Sequence, residues 1–369
     1  MSALVFSTWS AVTPFGVGSD PFRAGIRAGR SAVAELDREA HPGPFARGAL
    51  VPGFSAAEYV GRKGTRTMDR VTAIAVTAVG RLLTEGGPEL TARPEEIGLV
   101  LGTGSGSVQS IMDFTRDSLV GERPYHVDPA RFPNTVMNRA AGQSAIWHGI
   151  KGPNTTIAGG RLTGLTALSY AARLHRGGHC ARVLCGAAEE YSVQRAWLEW
   201  HGRDGDDQAS PLGEGGAVFL LETAKDARAA GRPIGARLLT TRFRAFDEPG
   251  GARAALAECV RDALKQAGAA AEDVRLVAPV ETGGVLAGVE EAAVGDALGA
   301  ARPRWLGSRA LLGDASAAAG SLQLAAVLTV FEDVAEDAAA APALALVTAV
   351  DRDGTAGCAL LAAPTNEEK

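Results

Sequence analysis

Residues 152–164, Gly152-Pro153-Asn154-Thr155-Thr156-Ile157-Ala158-Gly159-Gly160-Arg161-Leu162-Thr163-Gly164, read as a short strand, a glycine-hinged tight turn and the start of a long alanine-rich helix. A strand–turn–helix of this kind belongs to α/β folds. Many α/β enzymes mount a nucleophile on it, because the turn exposes one side chain at the helix N-terminus. Here the tip falls on Arg161. An arginine is always protonated and has no nucleophilic lone pair to offer. The sequence therefore presents an enzyme-like scaffold whose expected reactive position holds the wrong chemistry.

A chain of 369 residues can bury a sizeable core in one large or two medium domains. With 46% hydrophobic and 21% charged residues and 46 glycines it is a globular, Ala/Gly-rich α/β protein, neither disordered nor disulfide-rich. The start, Met1-Ser2-Ala3-Leu4-Val5-Phe6, lacks a basic region and a cleavage pattern, so no signal peptide is expected. No apolar run reaches the length of a membrane span, and a cytoplasmic location is expected. A net charge of −5 argues against nucleic acid as a partner. Cys180, Cys185, Cys259 and Cys358 form no CxxC pair and lie in or beside apolar runs, as small buried hydrophobes of a reducing compartment do. The six histidines, His41, His126, His148, His175, His179 and His201, include no HExxH and no Cys/His ligand cluster, so no metal site is expected.

Along the chain, Leu4 to Val12 reads as a first strand, and Asp20-Pro21 as an N-cap and first-turn proline of a helix to about Arg30. Residues 38–65 read as loop. Arg66 to Thr84 carries apolar residues at core-facing helical spacing. Ile97 to Thr103 is a strand entering Gly102-Thr103-Gly104-Ser105-Gly106, whose spacing departs from the dinucleotide fingerprint and suits a close-packed turn. Helices follow at Val108–Leu119 and, after a 129–135 loop, Val136–His148, which His148 is expected to cap. Further helices are expected at Thr163–His175, Ala252–Ala267, Val285–Leu298 and Ala315–Phe331. Strands are expected at Arg182–Gly186, Ala217–Glu222, 234–242, Val274–Val280 and Trp305–Ser308. Two last strands, Ala343–Val350 and Gly357–Ala363, are joined by the hairpin signal Asp351-Arg352-Asp353-Gly354. Residues 1–225 and 226–369 each alternate strands and helices and end in paired apolar strands, which suits sheets covered on both faces.

A set of short motifs then resembles a β-ketoacyl synthase in order and spacing. They include Val12-Thr13-Pro14-Phe15-Gly16, Met68-Asp69-Arg70, Phe132-Pro133-Asn134-Thr135-Val136-Met137-Asn138, Gly152-Pro153-Asn154 and Gly186-Ala187-Ala188-Glu189. Leu212-Gly213-Glu214-Gly215-Gly216-Ala217, Ala318-Ala319-Gly320 and Gly354-Thr355-Ala356-Gly357 complete the series. The resemblance implies a thiolase-like α/β fold of five layers, αβαβα, made of two pseudo-duplicated halves, 1–225 and 226–369, in one compact unit. It also implies a Cys-His-His site for acyl condensation, and here that site is degenerate. Arg161 stands at the Cys position, one His falls near Pro279 in Pro279-Val280-Glu281-Thr282-Gly283-Gly284, with Glu290 as the acid downstream, and Asp314 stands for the other His in Arg309–Gly320. Arg309 replaces the family's lysine, and Arg352 lies in the turn that resembles its C-terminal gating loop. Residues 202–369 contain no histidine at all. The resemblance puts Asp314, and Asp351 or Asp353, in the same pocket as Arg161; a pairing of Arg161 with Asp314 is expected, because a buried charge needs a partner, the open alternative being that Arg161 points to solvent or to a partner chain.

The family's known inactive members are chain-length factors, ketosynthase β subunits of type II polyketide synthases. The resemblance thus implies a non-catalytic subunit that pairs with an active ketosynthase α subunit and shapes its acyl tunnel. The acyl chain would reach that partner on the phosphopantetheine of an acyl carrier protein, and this chain would need no cofactor of its own. By resemblance, tunnel and interface residues are Gln109, Met112, Asp113, Phe132, Thr135 and Met137, and Arg62, Lys63 and Arg66 are a candidate carrier-protein contact. The sequence departs from the aromatic-polyketide type, which has Gln at position 161, and it looks trimmed between Ser192 and Ser210 and between Thr241 and Ala252. Two other readings stay open: altered acyl-transfer or thioester-hydrolysis chemistry, with Thr163 as the nearest hydroxyl, and a stand-alone binding or scaffold protein.

Overall fold

The structure is a computed structural model that describes residues 3–203, 210–334 and 343–365. Ten strands form the body of one large sheet: β1 Leu4–Thr13, β2 Ile97–Gly102, β3 Asn154–Ile157, β4 Arg182–Glu189, β5 Gly215–Thr223, β6 Ala236–Ala245, β7 Val274–Pro279, β8 Arg304–Trp305, β9 Leu344–Asp351 and β10 Thr355–Ala362. Their spatial order is β8-β7-β9-β10-β6-β1-β5-β4-β2-β3. From β1 outward the order is β1-β5-β4-β2-β3, and from β6 outward it is β6-β10-β9-β7-β8. The senses repeat too. The first two pairings of each series are antiparallel and the last two parallel. The two series meet where Leu4, Val5 and Phe6 pair with Leu238, Arg237 and Ala236.

The longer helices among the described residues are α1 Ser19–Arg27, α2 Arg70–Gly86, α3 Val108–Val120, α4 Arg139–His148, α5 Thr163–Arg176, α6 Val193–His201, α7 Ala252–Ala267, α8 Val289–Leu298 and α9 Ala319–Val334. Three apolar cores sort them into layers. Leu165, Leu168 and Ala171 of α5 and Leu322, Leu324 and Leu328 of α9 share one core with Phe219 of β5 and Val347 of β9, so this pair lies between the two halves of the sheet. Ile74 and Val79 of α2 with Ala140 and Ala141 of α4 cover the outer face of the first half. Leu256, Val260 and Ala263 of α7 with Ala293 and Val294 of α8 cover the outer face of the second. The result is the five-layered, thiolase-like α/β fold, and both faces of each half-sheet are dry. That is why β2, β4, β9 and β10 are near-continuous apolar runs.

Several boundaries differ from the sequence reading for identifiable reasons. The helix expected from Arg66 starts at Arg70, because Asp69 caps it and accepts from the Thr72 N–H at 2.8 Å. The first helix starts at Ser19 with Gly18 at the N-cap. Asp20 lies inside the first turn and pairs with Arg23 at 2.8 Å. Residues 129–135 form a 3-10 turn capped by Asp128, which delays α4 to Arg139. The region 38–65 is not all loop: it contains a short strand, Arg47–Ala49, and a helical turn, Ala56–Val60. His148 does not cap α4; Nε2 sits 2.8 Å from the Val76 carbonyl of α2, and burial lowers its pKa. Helix α6 was not expected. Its signal was present in Ser192, whose hydroxyl accepts from the Arg195 N–H at 3.1 Å.

Candidate functional site

The turn between β3 and α5 is built on glycine. Gly160 has φ +52, a left-handed conformation that L side chains rarely adopt. A 3-10 turn, Gly160–Leu162, then leads into α5 and turns Arg161 inward. The side chain is buried, at 8% exposure. Its guanidinium donates twice to Asp314: Nη1 to Oδ1 at 2.7 Å and Nη2 to Oδ2 at 2.6 Å. Arg309 donates Nη2 to the same Oδ2 at 3.1 Å, and the Ser316 N–H reaches Oδ1 at 2.9 Å. Burial alone would pull the Arg161 pKa down and push Asp314 up. The charge and hydrogen bonds of each partner outweigh it, so Arg161 is held above its ordinary value and Asp314 far below the carboxylate range. A bidentate pair of this geometry is the form in which a buried charge is tolerated.

The surroundings fix that pair. Arg195, itself buried in α6, donates Nη2 to the Asp314 carbonyl at 3.0 Å, and Nη1 to those of Glu190 at 2.6 Å and Gly213 at 2.9 Å. Arg309 also donates Nη1 to the Glu281 carbonyl, while the Arg309 N–H reaches Glu281 Oε2 at 3.0 Å. Among the described residues, Glu281 and Ser316, with φ 63 and 44, are the non-glycine residues in left-handed backbone, and both flank this cluster. Glu290 holds the 280–282 loop through the N–H groups of Val280, Glu281 and Thr282, at 3.1, 2.7 and 3.2 Å, and takes the Thr348 hydroxyl at 2.8 Å. The space left beside Arg161, Asp314, Arg309 and Arg352 is about 30 Å³, room for a water or two rather than an acyl chain.

The structure thus brings together Arg161, Asp314, Arg309 and Arg352. Arg352, on the β9–β10 turn, donates Nη1 to the Gly202 carbonyl at the end of α6. Pro279 is not part of this group. It ends β7, buried, with its carbonyl taken by Gln323 of α9. The expected pairing of Arg161 with Asp314 is present. Thr163 has no base beside it: its hydroxyl donates to the Gly160 carbonyl at 2.6 Å and accepts from the Gly159 N–H at 3.0 Å, so it serves the turn. The cysteines are buried, and burial pushes Cys185 up to about 12 and Cys259 up to about 11, the opposite of an activated thiolate. Gly104, in the glycine-rich turn, donates its N–H to Glu189 at 3.1 Å, so a carboxylate occupies that turn.

The other predicted residues lie elsewhere. On α3, Gln109 and Met112 are exposed and Asp113 takes Gln194 Nε2 at 3.3 Å. Phe132 and Met137 are exposed as well, and Thr135 caps back onto the Phe132 carbonyl at 2.8 Å. Gln109 and Asp113 line a cavity of about 480 Å³ with Asp69, Ser107 and Asn134. Arg62, Lys63 and Arg66 are all exposed. Missed by sequence reasoning was the buried trio Asp69, Glu189 and Glu190, of which Asp69 lines that cavity. Burial, then the like charges of Asp69 and Glu189, push Glu190 up to about 8. Glu189-Glu190 reads as surface charge in one dimension; only β4 running into the core buries it.

Comparison with known proteins adds to this geometry. The model of the β-ketoacyl synthase N-terminal domain matches residues 5–227 and that of the C-terminal domain residues 245–336. The chain belongs to the β-ketoacyl synthase family. Among solved structures, the ishigamide ketosynthase/chain length factor superposes with a TM-score of 0.87 at 40% identity, covering 97% of this chain and 99% of that one. A ketosynthase in complex with the acyl-carrier protein AntF shares the fold, with a TM-score of 0.80 at 18% identity over 98% of this chain and 99% of that one. A putative polyketide β-ketoacyl synthase 2 of Streptomyces halstedii is 30% identical over 87% of this chain and 83% of its own length. The 3-oxoacyl-[acyl-carrier-protein] synthase 2 of Vibrio harveyi is 30% identical, but over only 52% of this chain and 50% of its own length. For the proteins of that name from Vibrio cholerae and Synechocystis the share of their length is 61% and 60%. Within this β-ketoacyl synthase fold no described helix is long and apolar enough to cross a membrane.

Proposed function

We propose that this chain is a non-catalytic ketosynthase-like subunit of a type II polyketide synthase. It pairs with an active ketosynthase and shapes that partner's acyl tunnel, as a chain-length factor does. The observation that carries the reading is the Arg161–Asp314 pair, at 2.6 and 2.7 Å, in the place where a condensing site would need a nucleophile and room for an acyl chain. The 40% identity to the ishigamide ketosynthase/chain length factor supports it. So does the apolar surface of residues 108–137: Met112, Leu119, Val120, Phe132, Val136 and Met137 are exposed on consecutive segments, a concentration typical of an interaction face. The unpaired side of β3 lies beyond β2 at the sheet edge, free to add a strand from a second subunit. The acyl carrier protein serves the partner; Arg62, Lys63 and Arg66 give this chain an exposed cationic patch that an acidic carrier would meet. No cofactor is required of this subunit.

Co-expression with an active type II ketosynthase as candidate partner tests the reading. A stable 1:1 complex is expected, in which Met112→Trp shortens the product. A chain that purifies alone in the presence of that ketosynthase, or products unchanged by Met112→Trp in an intact complex, would count against it.

A further inference from the structure

The two five-strand series meet at a short seam, where Leu4–Phe6 of β1 pair with Ala236–Leu238 of β6. The Gly235 N–H still reaches the Phe6 carbonyl at 2.7 Å, but β6 begins at Ala236, so Ser7, Thr8 and Trp9 have no β6 partner. A cleft of about 540 Å³ opens there, walled by α1, the ends of α2 and α9 and residues 233–235. Clefts of roughly 300–1,000 Å³ are the size that takes a small molecule. From Ala319 to Glu332, α9 rises about 20 Å, so this cleft is remote from the Arg161–Asp314 pair at the other end of that helix.

Phe6, Trp9, Ile234 and Phe331 give the cleft an apolar lining. The charged groups around them answer one another. Arg23 donates Nε to Glu332 at 3.0 Å and Nη1 to Asp20 at 2.8 Å, and lies 4.9 Å over the Trp9 ring. Arg81 donates Nη2 to Glu85 at 3.2 Å. Two donors are left over. The Arg81 Nε–H is buried without a partner. Trp9 is 6% exposed, and its indole N–H makes no hydrogen bond to a described residue. An indole nitrogen can only donate, and a buried donor without an acceptor is costly. What the cleft lacks is therefore an acceptor. An anion would meet three carboxylates against two guanidiniums, so the fitting acceptor is uncharged. We infer that this cleft is a binding site for a small, neutral, apolar molecule carrying a carbonyl group (a ketone, ester or amide), whose oxygen accepts from Trp9, with Arg81 as the second donor of the wall. The site is separate from the face proposed to meet a ketosynthase, so its test does not depend on that pairing.

The probe is acetophenone, a neutral aromatic ketone, added to the full chain labelled with nitrogen-15 at its tryptophans. The Trp9 indole signal is assigned by its loss in Trp9→Phe. Acetophenone is expected to move that signal saturably, with a Kd of about 1 mM for so small a probe, and to leave those of Trp147, Trp197, Trp200 and Trp305 in place. Ethylbenzene has the apolar body without the oxygen, and benzoate has the charge. Both are expected to bind about tenfold more weakly, read from the ligands' own saturation-transfer signals. Trp9→Phe keeps a ring and loses the donor, so it is expected to weaken acetophenone roughly three- to tenfold and to leave ethylbenzene unchanged. A Trp9 signal that does not move, ethylbenzene or benzoate binding as well as acetophenone, or unchanged acetophenone affinity in Trp9→Phe would each overturn the inference. Should Trp9→Phe not fold, Arg81→Lys takes its place, at a side chain 42% exposed. It keeps the charge and lacks the Nε–H. Acetophenone is expected to bind it about threefold more weakly, and equal affinity would overturn the inference.

Discussion

The strongest prediction concerns Asp314. This one carboxylate receives two hydrogen bonds from Arg161, one from Arg309 and one from the Ser316 N–H, and it is buried. Asp314→Asn leaves the shape and removes the charge, so two guanidiniums face each other in a space of about 30 Å³. Breaking a buried pair from one side costs about 3–5 kcal/mol, because the remaining charge stays desolvated and uncompensated. Removing both charges is different: Arg161→Met/Asp314→Leu replaces the pair by apolar volume. It is expected to cost less than Asp314→Asn alone, by about 2 kcal/mol, since buried pairs seldom outscore an apolar substitute. Urea unfolding midpoints of the three proteins, with slopes checked for constancy, provide the comparison. If Asp314→Asn unfolds within about 1 kcal/mol of the parent, or if the double variant is the least stable, the argument from uncompensated charge is wrong. The pH dependence has a definite sign. Asp314 is held below its unfolded value, chiefly by Arg161 against the opposing effect of burial. Its contribution is therefore complete above the unfolded carboxylate range, about pH 4, and is lost as pH falls toward the folded value; Asp314→Asn should flatten this acid limb.

Glu190 predicts the opposite slope. Burial, then the like charges of Asp69 and Glu189, raise its pKa from the ordinary 4.5 to about 8, so its contribution is complete below about pH 4.5 and is lost as pH rises toward 8. Glu190→Gln is then expected to be more stable than the parent at pH 8, by up to roughly 4 kcal/mol at ~1.4 kcal/mol per unit, and equal stability at pH 8 would refute this. Gly160→Ala forces a Cβ into the Asp351 carboxylate at φ +52 and is expected to cost about 1–3 kcal/mol by thermal or urea unfolding. Arg161→Cys alone is expected to show no condensation of acyl thioesters, because residues 202–369 supply no histidine to polarise the carbonyl; measurable product from the isolated variant would contradict this. Met112→Asp together with Phe132→Asp is expected to abolish co-purification with the partner ketosynthase of the proposed pair while leaving the unfolding midpoint unchanged, since both side chains are exposed.

Much of the fold was legible because its strands are long apolar runs between amphipathic helices, and α7 was placed residue for residue. The pairing of Arg161 with Asp314 was legible as well, through the resemblance that puts both residues at positions of one site. Three features were not. Helix α6 carries Arg195 and Glu199 inside an ambiguous pattern, and only the packing of Arg195 under Asp314 makes it a helix of the site. Glu190 is buried by a strand that extends three residues past its expected end at Gly186. Asp351 lies 190 residues from Arg161; the resemblance puts Asp351 or Asp353 in the same pocket as Asp314, but it does not give the bond from the Arg161 N–H to the Asp351 carboxylate. Its role depends on how β9 ends against the β3–α5 turn, a three-dimensional coincidence that no local pattern records.

The repeated strand order has one asymmetry with a bearing on assembly. Each five-strand series ends in an edge, but the edges are unequal: β3 offers four residues, Asn154–Ile157, whereas β8 offers only Arg304 and Trp305. A sheet with two good edges can recruit neighbours on both sides and grow without limit. A sheet with one serviceable edge and one stub can be extended once. In the language of polymers the sheet is monovalent: were a subunit to add at β3, as proposed above, the stub at β8 would leave no comparable edge for a third.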